Sequence, residues 1–179
     1  TNRAVHIKAV TVEGTQEIPI EGVQFTQNSL TLVEGEEQQL TVDYTPATTS
    51  QRGLKWESDD KSVVTVDDNG KVTAVAAGNA NVTVKSAVDD HISDTIVIEV
   101  CKDIANLTYS VISDQTYQGV ALEPTFEVKD GDTVLDKAAG DYAVTYDKNT
   151  NVGQASVKVT ANGNGYKGEK IVNFNIVQA

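Results

Sequence analysis

The chain has 179 residues, and 26 Asp and Glu against 14 Lys and Arg give a formal net charge of -12. That sign repels phosphate backbones and anionic membrane surfaces, which excludes nucleic acid as an expected partner and favours a soluble monomer. A single cysteine, Cys101, leaves no intramolecular disulfide, and no apolar run approaches the roughly 18 residues of a membrane-spanning helix, so no membrane insertion is expected in this segment. No signal peptide begins the chain, and a mature or excised segment is expected. The sequence is rich in Val and Thr and carries 13 Gly and no Met, a composition suited to strands joined by tight turns. An all-β chain of this length holds one large or two small domains, and the change of pattern near Cys101 favours two.

Val5 to Val12 alternates enough to form a strand, and Gly14 to Glu17 separates it from the next segment. Ile18-Pro19-Ile20-Glu21-Gly22-Val23 is a short extended segment, and the first domain is expected to start there. Ser29 to Leu32 is a brief strand, and Gln38 to Tyr44 puts Leu40, Val42 and Tyr44 on one face of the next. Leu54 and Trp56 alternate with Lys55 and Glu57. Val64, Val66, Val72 and Ala74 flank Asp67-Asp68-Asn69-Gly70, where Asn-Gly adopts positive φ cheaply, so a hairpin is expected over Val63–Val75. After a turn near Gly78, Val82 and Val84 face inward, and Ile96, Ile98 and Val100 share a face of the closing strand that ends at Cys101, read as a small buried side chain.

These residues carry a resemblance. Leu30 and Leu32 before Gly35-Glu36, Leu40, Trp56 followed by Ser58-Asp59, Val63 to Val66 before Asp68-Asn69-Gly70-Lys71-Val72, and Ala77-Gly78 before Ala80 to Val84 resemble the bacterial immunoglobulin-like domain, group 2, of invasin- and intimin-type surface proteins. The resemblance spans Ile18 to Cys101. Arg52-Gly53 and Asn79 depart from the pattern and are expected in loops. By analogy with the strand C tryptophan of such domains, Trp56 is expected to fill the first core.

The pattern changes at Lys102-Asp103. Leu107, Tyr109 and Val111 open new strands, Tyr117-Gln118-Gly119 and Asp130-Gly131-Asp132 turn the chain, and Phe126 and Val128 follow Pro124. Asp141 to Tyr146 alternates, Asn149 to Gly153 turns, and Ala155, Val157 and Val159 return as a hairpin arm. Gly163 to Gly168 then separates that arm from Val172, Phe174 and Ile176. The run from Asp141 to Gly168 resembles a short β-sandwich repeat of bacterial surface proteins, departing from it at Ala161-Asn162. Neither resemblance implies a catalytic centre.

Chemistry-bearing clusters are few. His6 and His91 lie in different segments without a nearby cysteine or spaced histidine, so no zinc-type ligand set is read, and no Gly-x-Ser-x-Gly turn is present. Carboxylates at Asp89 and Asp90 and at Asp130 and Asp132 are the candidates for an interdomain Ca²⁺, although Asp is also an ordinary turn residue. Tyr117 and Tyr166, each in a Tyr-x-Gly turn, are the candidate ligand platforms, with covering of the core ends as the other reading. No catalytic or cofactor-binding residue is assigned.

The resulting expectation is two tandem antiparallel immunoglobulin-like β-sandwiches, residues 18–101 and 102–179, after an N-terminal strand or remnant over 1–17. The expected function is that of a non-enzymatic structural and adhesion segment of a bacterial cell-surface or secreted protein, with a protein or glycan partner at the surface. The alternatives are a surface glycan-binding protein and accessory modules of a secreted carbohydrate-active enzyme.

Overall fold

A computed structural model describes residues 16–179, so the expected strand over Val5 to Val12, and His6 with it, lie outside the described residues. The described chain is all-β apart from a single turn of 3-10 helix at Ile104–Asn106. The first unit contains β1 (Gly22–Phe25), β2 (Ser29–Val33), β3 (Glu37–Gln39), β4 (Val42–Thr45), β5 (Leu54–Ser58), β6 (Val64–Val66), β7 (Lys71–Ala74), β8 (Gly78–Ser86) and β9 (Ser93–Asp103). β5, β8 and β9 form one antiparallel array, with β2 parallel to β9; β3, β7 and β6 form another, and β1 pairs with β4.

Between these layers the alternate residues of each strand meet. Val64, Val72, Val82, Val84, Ile96, Ile98 and Val100 are fully buried, and Phe25, Leu32 and Leu40 join them. Burying an aliphatic side chain of this size contributes about 1.5–3 kcal/mol, so the strand periodicity of Val82–Val84 and Ile96–Val100 carries much of the unit's stability. The hairpin pairs Val64 with Ala74 and Val66 with Val72, and Gly70 has φ 80°. Trp56 is half-buried and packs its ring 5.9 Å from that of Phe25.

The second unit holds β10 (Thr108–Tyr109), β11 (Gln115–Thr116), β12 (Val128–Asp130), β13 (Thr133–Val134), β14 (Tyr142–Asp147), β15 (Gly153–Ala161), β16 (Tyr166–Lys167) and β17 (Glu169–Val177). Its larger sheet has the order β11-β17-β15-β14, and β10-β12-β13 form the facing layer. Ile112, Leu122, Val157, Phe174 and Ile176 form one part of its core, and Ile104, Val128, Leu135, Tyr142 and Val159 the other. Phe126 and Val144 pack against both parts.

Four features differ from the sequence reading, the first being that Asn79, expected in a loop, lies in β8 opposite Glu99. The expected strand Gln38–Tyr44 is two strands: β3 pairs with β7 and β4 with β1, because the chain changes layer at Leu40, whose N–H donates to Gly70 C=O at 2.9 Å. Val111, expected in a strand with Leu107 and Tyr109, lies outside one and is 92% exposed, since β10 stops at Tyr109 and Ile112 takes a core position instead. The sandwiches are mainly antiparallel, but β2 with β9, β16 with β9 and β11 with β17 pair in parallel.

Candidate functional site

A polar arrangement surrounds the end of β9, where one strand edge serves both units. β2 occupies that edge from Val97 to Cys101, and β16 takes it over at Lys102 and Asp103. Glu34 N–H donates to Cys101 C=O at 2.9 Å, and the next residue's N–H, that of Lys102, donates to Gly165 C=O at 2.8 Å. Backbone bonding thus passes from one unit to the other within a single peptide.

Side chains reinforce the transfer. Lys102 Nζ lies 2.6 Å from Asp130 Oδ2, and Tyr166 Oη donates to the same oxygen at 3.1 Å. The Lys102 hydrogen bond, with that of Tyr166 added to it, holds the Asp130 carboxyl below the usual carboxylate range, and Asp130 in turn raises Lys102. Burial, and then the bond to Asp130, pushes the Tyr166 phenol up. Asp103 accepts from Ala105 N–H at 2.9 Å and so caps the helical turn. Tyr109 Oη closes the far side by donating to Ile104 C=O at 2.9 Å. Cys101 is buried within the junction, and burial raises its thiol above the ordinary value. A cleft of about 260 Å³ beside these groups is lined by Glu34, Asp103, Asn106, Leu107 and Asp130.

The sequence-level candidates fall at separate places. Asp90 pairs with Lys55 at 2.9 Å, and Asp89 accepts from His91 N–H in the loop that precedes β9. Asp130 ends β12 beside the opposite end of β9, and Asp132 lies in the turn to β13. Eleven extended residues set those ends about 30 Å apart, so the four carboxylates are not brought together. No three His, Cys, Asp or Glu among the described residues are grouped where a metal ion could be held. Tyr117 is 38% exposed, and its N–H donates to Val177 C=O at the finish of β17, whereas Tyr166 precedes its start. Nine residues of β17 separate the two rings by about 26 Å, too far to form one platform.

In the sequence, Lys102 and Asp103 stand out only as a boundary. Their joint role depends on Gly165, Asp130 and Tyr166, all distant in the chain, and no local signal identifies those partners.

Residues 19–96 match the family model described as bacterial Ig-like domain (group 2). The first unit is a bacterial Ig-like domain of group 2. Among curated proteins, the chain is similar to the polysaccharide lyase 8 family protein HylA of Enterococcus faecalis, 39% identical over 82 residues, 45% of this chain and 6% of that protein. A 3-O-alpha-D-galactosyl-alpha-L-arabinofuranosidase of Bifidobacterium longum subsp. longum is 32% identical over 97 residues, 54% of this chain and 8% of that enzyme. The chain therefore spans less than a tenth of the length of either relative. Domains 5-6 of the S-layer protein SbsC align with 89% of this chain and 99% of that one, at 15% identity and a TM-score of 0.38.

Proposed function

We propose that this chain is a non-catalytic pair of modules in a larger bacterial extracellular or cell-surface protein, dividing near Lys102, and that it holds a catalytic or binding part at a fixed distance and direction. The observation that carries the reading is the continuous strand β9, whose edge passes from β2 to β16 and whose junction is closed by Lys102, Asp130 and Tyr166. A flexible tether needs no such interlock. The small share of HylA and of the arabinofuranosidase that this chain covers favours an accessory position in a carbohydrate-active enzyme over a free-standing adhesin. Capture of a glycan or surface protein by Tyr117 and Tyr166 together gains no support from their placement at opposite ends of β17.

The test is whether the two units move as one. Residual dipolar couplings measured separately for residues 18–101 and 102–179 are expected to give the same alignment tensor. Independent tensors, or independent rotational correlation times, would reject a rigid spacer.

A further inference from the structure

The larger sheet of the second unit ends in an uncovered strand, β14, whose hydrogen-bonding phase is fixed by its neighbour. Asn162 N–H donates to Asp141 C=O at 3.1 Å, and the register then runs from Tyr142 opposite Ala161 to Asp147 opposite Ser156 without a bulge. The alternation of an antiparallel ladder turns the N–H and C=O of Ala143, Thr145 and Asp147 toward β15. Those of Tyr142, Val144 and Tyr146 point the other way, off the sheet. Among the described residues, no turn or loop backbone group bonds to them.

Sheet edges are ordinarily protected by shortness, proline, lysine or a bulge. At the other edge of the same sheet β11 is two residues long. β14 has six residues, Tyr-Ala-Val-Thr-Tyr-Asp, and carries none of these protections. Beside it opens a cleft of about 300 Å³ lined by Glu123, Pro124, Phe126, Tyr142, Val144 and Tyr146. That is the room of roughly ten liquid waters. Phe126, Val144 and Tyr146 are only half-buried, and Tyr146 Oη reaches across the opening to donate to Pro124 C=O at 2.9 Å. The opening therefore offers a two-residue repeat of backbone donors and acceptors next to an apolar seat, which matches an extended peptide with alternate apolar side chains.

Charge narrows the occupant. Glu123 lines the cleft together with Lys137; Asp141 and Asp147 stand at the two ends of the strand, and Lys148 follows Asp147. A second copy of the chain would bring another net charge of -12 to the contact.

We propose that β14 is a strand-acceptor edge, taking from a partner protein an extended segment with apolar side chains at alternate positions and basic ones between them. The inference is independent of the spacer reading, since it concerns an edge away from the junction.

The probe is the peptide acetyl-Lys-Val-Lys-Val-Lys-Val-Lys-amide, titrated into ¹⁵N-labelled full chain. The amide signals of Tyr142, Val144 and Tyr146 are expected to shift and their hydrogen exchange to slow at least tenfold. Of two backbone N-methylated forms, one blocked at every Val and one at every Lys, one is expected to lose at least tenfold in affinity while the other retains it. Thr125→Trp, a change in the cleft wall outside the ladder, is expected to lower affinity at least tenfold with the rest of the spectrum unchanged. No shift at millimolar peptide, equal affinity of all three peptides, or undiminished binding by Thr125→Trp would each overturn the proposal. Concentration-dependent shifts of the same amides without peptide, with a doubled sedimentation mass, would assign the edge to a second copy and overturn it as well.

Discussion

At Gly70 the backbone has φ 80°, and a β-carbon there would stand 2.5 Å from Trp56 Cζ2. Two costs fall on Gly70→Ala: about 1–2 kcal/mol for the left-handed conformation and about 1–3 kcal/mol for overpacking against the indole. A total loss of about 2–5 kcal/mol is expected in urea unfolding followed by Trp56 fluorescence. Gly35 has φ 85° with open space where its β-carbon would lie, so Gly35→Ala is expected to show only the conformational share. Equal losses from the two would remove the packing argument. The turn at Gly70 is legible in Asp-Asp-Asn-Gly, but the ring above it is not, because the contact joins residues fourteen apart through the register of two sheets. A second residue-scale effect belongs to Tyr109. Burial, then Asp103 and Tyr142, push its phenol up to about 12, against about 10 for a free tyrosine. A raised folded-state value means that the contribution is complete below pH about 10 and is lost as pH rises through about 12. Alkaline unfolding monitored by tyrosinate absorbance is therefore expected to begin above pH about 10, and Tyr109→Phe to move its midpoint upward relative to its own stability at pH 7.

Strand existence is more legible in the sequence than strand partnership. The alternation of Val82, Val84, Ile96, Ile98 and Val100 identifies faces correctly because a period of two admits a single buried side, and all five are buried. The same alternation runs uninterrupted through Leu40, Val42 and Tyr44, yet the chain changes layer there, since inward positions in a sandwich stay apolar on whichever sheet they lie. Parallel pairing is equally hidden, for it depends on which edge is free rather than on local composition. At β16 the free edge is reached through Gly168, whose φ is 85° and whose β-carbon would lie 2.6 Å from Asp103 Oδ1. Gly168→Ala is expected to push β16 away from β9. Hydrogen exchange at the Lys102 amide, now bonded to Gly165, should quicken at least tenfold while Ile98 stays protected. Unchanged exchange at Lys102 would show that β16 is held by something other than this close approach.

For the molecule as a whole, the proposed rigid spacer requires that the junction set the direction of one sandwich against the other, and its electrostatics then fix when that direction is kept. Asp130 is held below the ordinary carboxylate range by Lys102, with Tyr166 adding to the effect, so its contribution is complete above the unfolded value of about 4 and is lost as pH falls through the folded one. Lys102 is raised by Asp130, so its own contribution is complete below about 10.4 and fades as pH climbs past its folded value. Constant interdomain geometry is therefore expected from pH 5 to 9, on the order of the interval those two free values bracket. Partly exposed ion pairs contribute little to global stability, commonly below about 1 kcal/mol, whereas at the junction this pair adds to the backbone pairing of β16 with β9. Asp130→Asn is accordingly expected to leave the urea midpoint of each sandwich nearly unchanged while making the dipolar alignment tensors of the two units diverge at pH 7. Tyr166→Phe, which keeps the ring and the ion pair and removes one hydrogen bond, should produce a smaller divergence. Identical tensors in both variants and in the parent would place the rigidity in the backbone passage from Glu34–Cys101 to Lys102–Gly165 alone, and the side-chain lock would have no part in it.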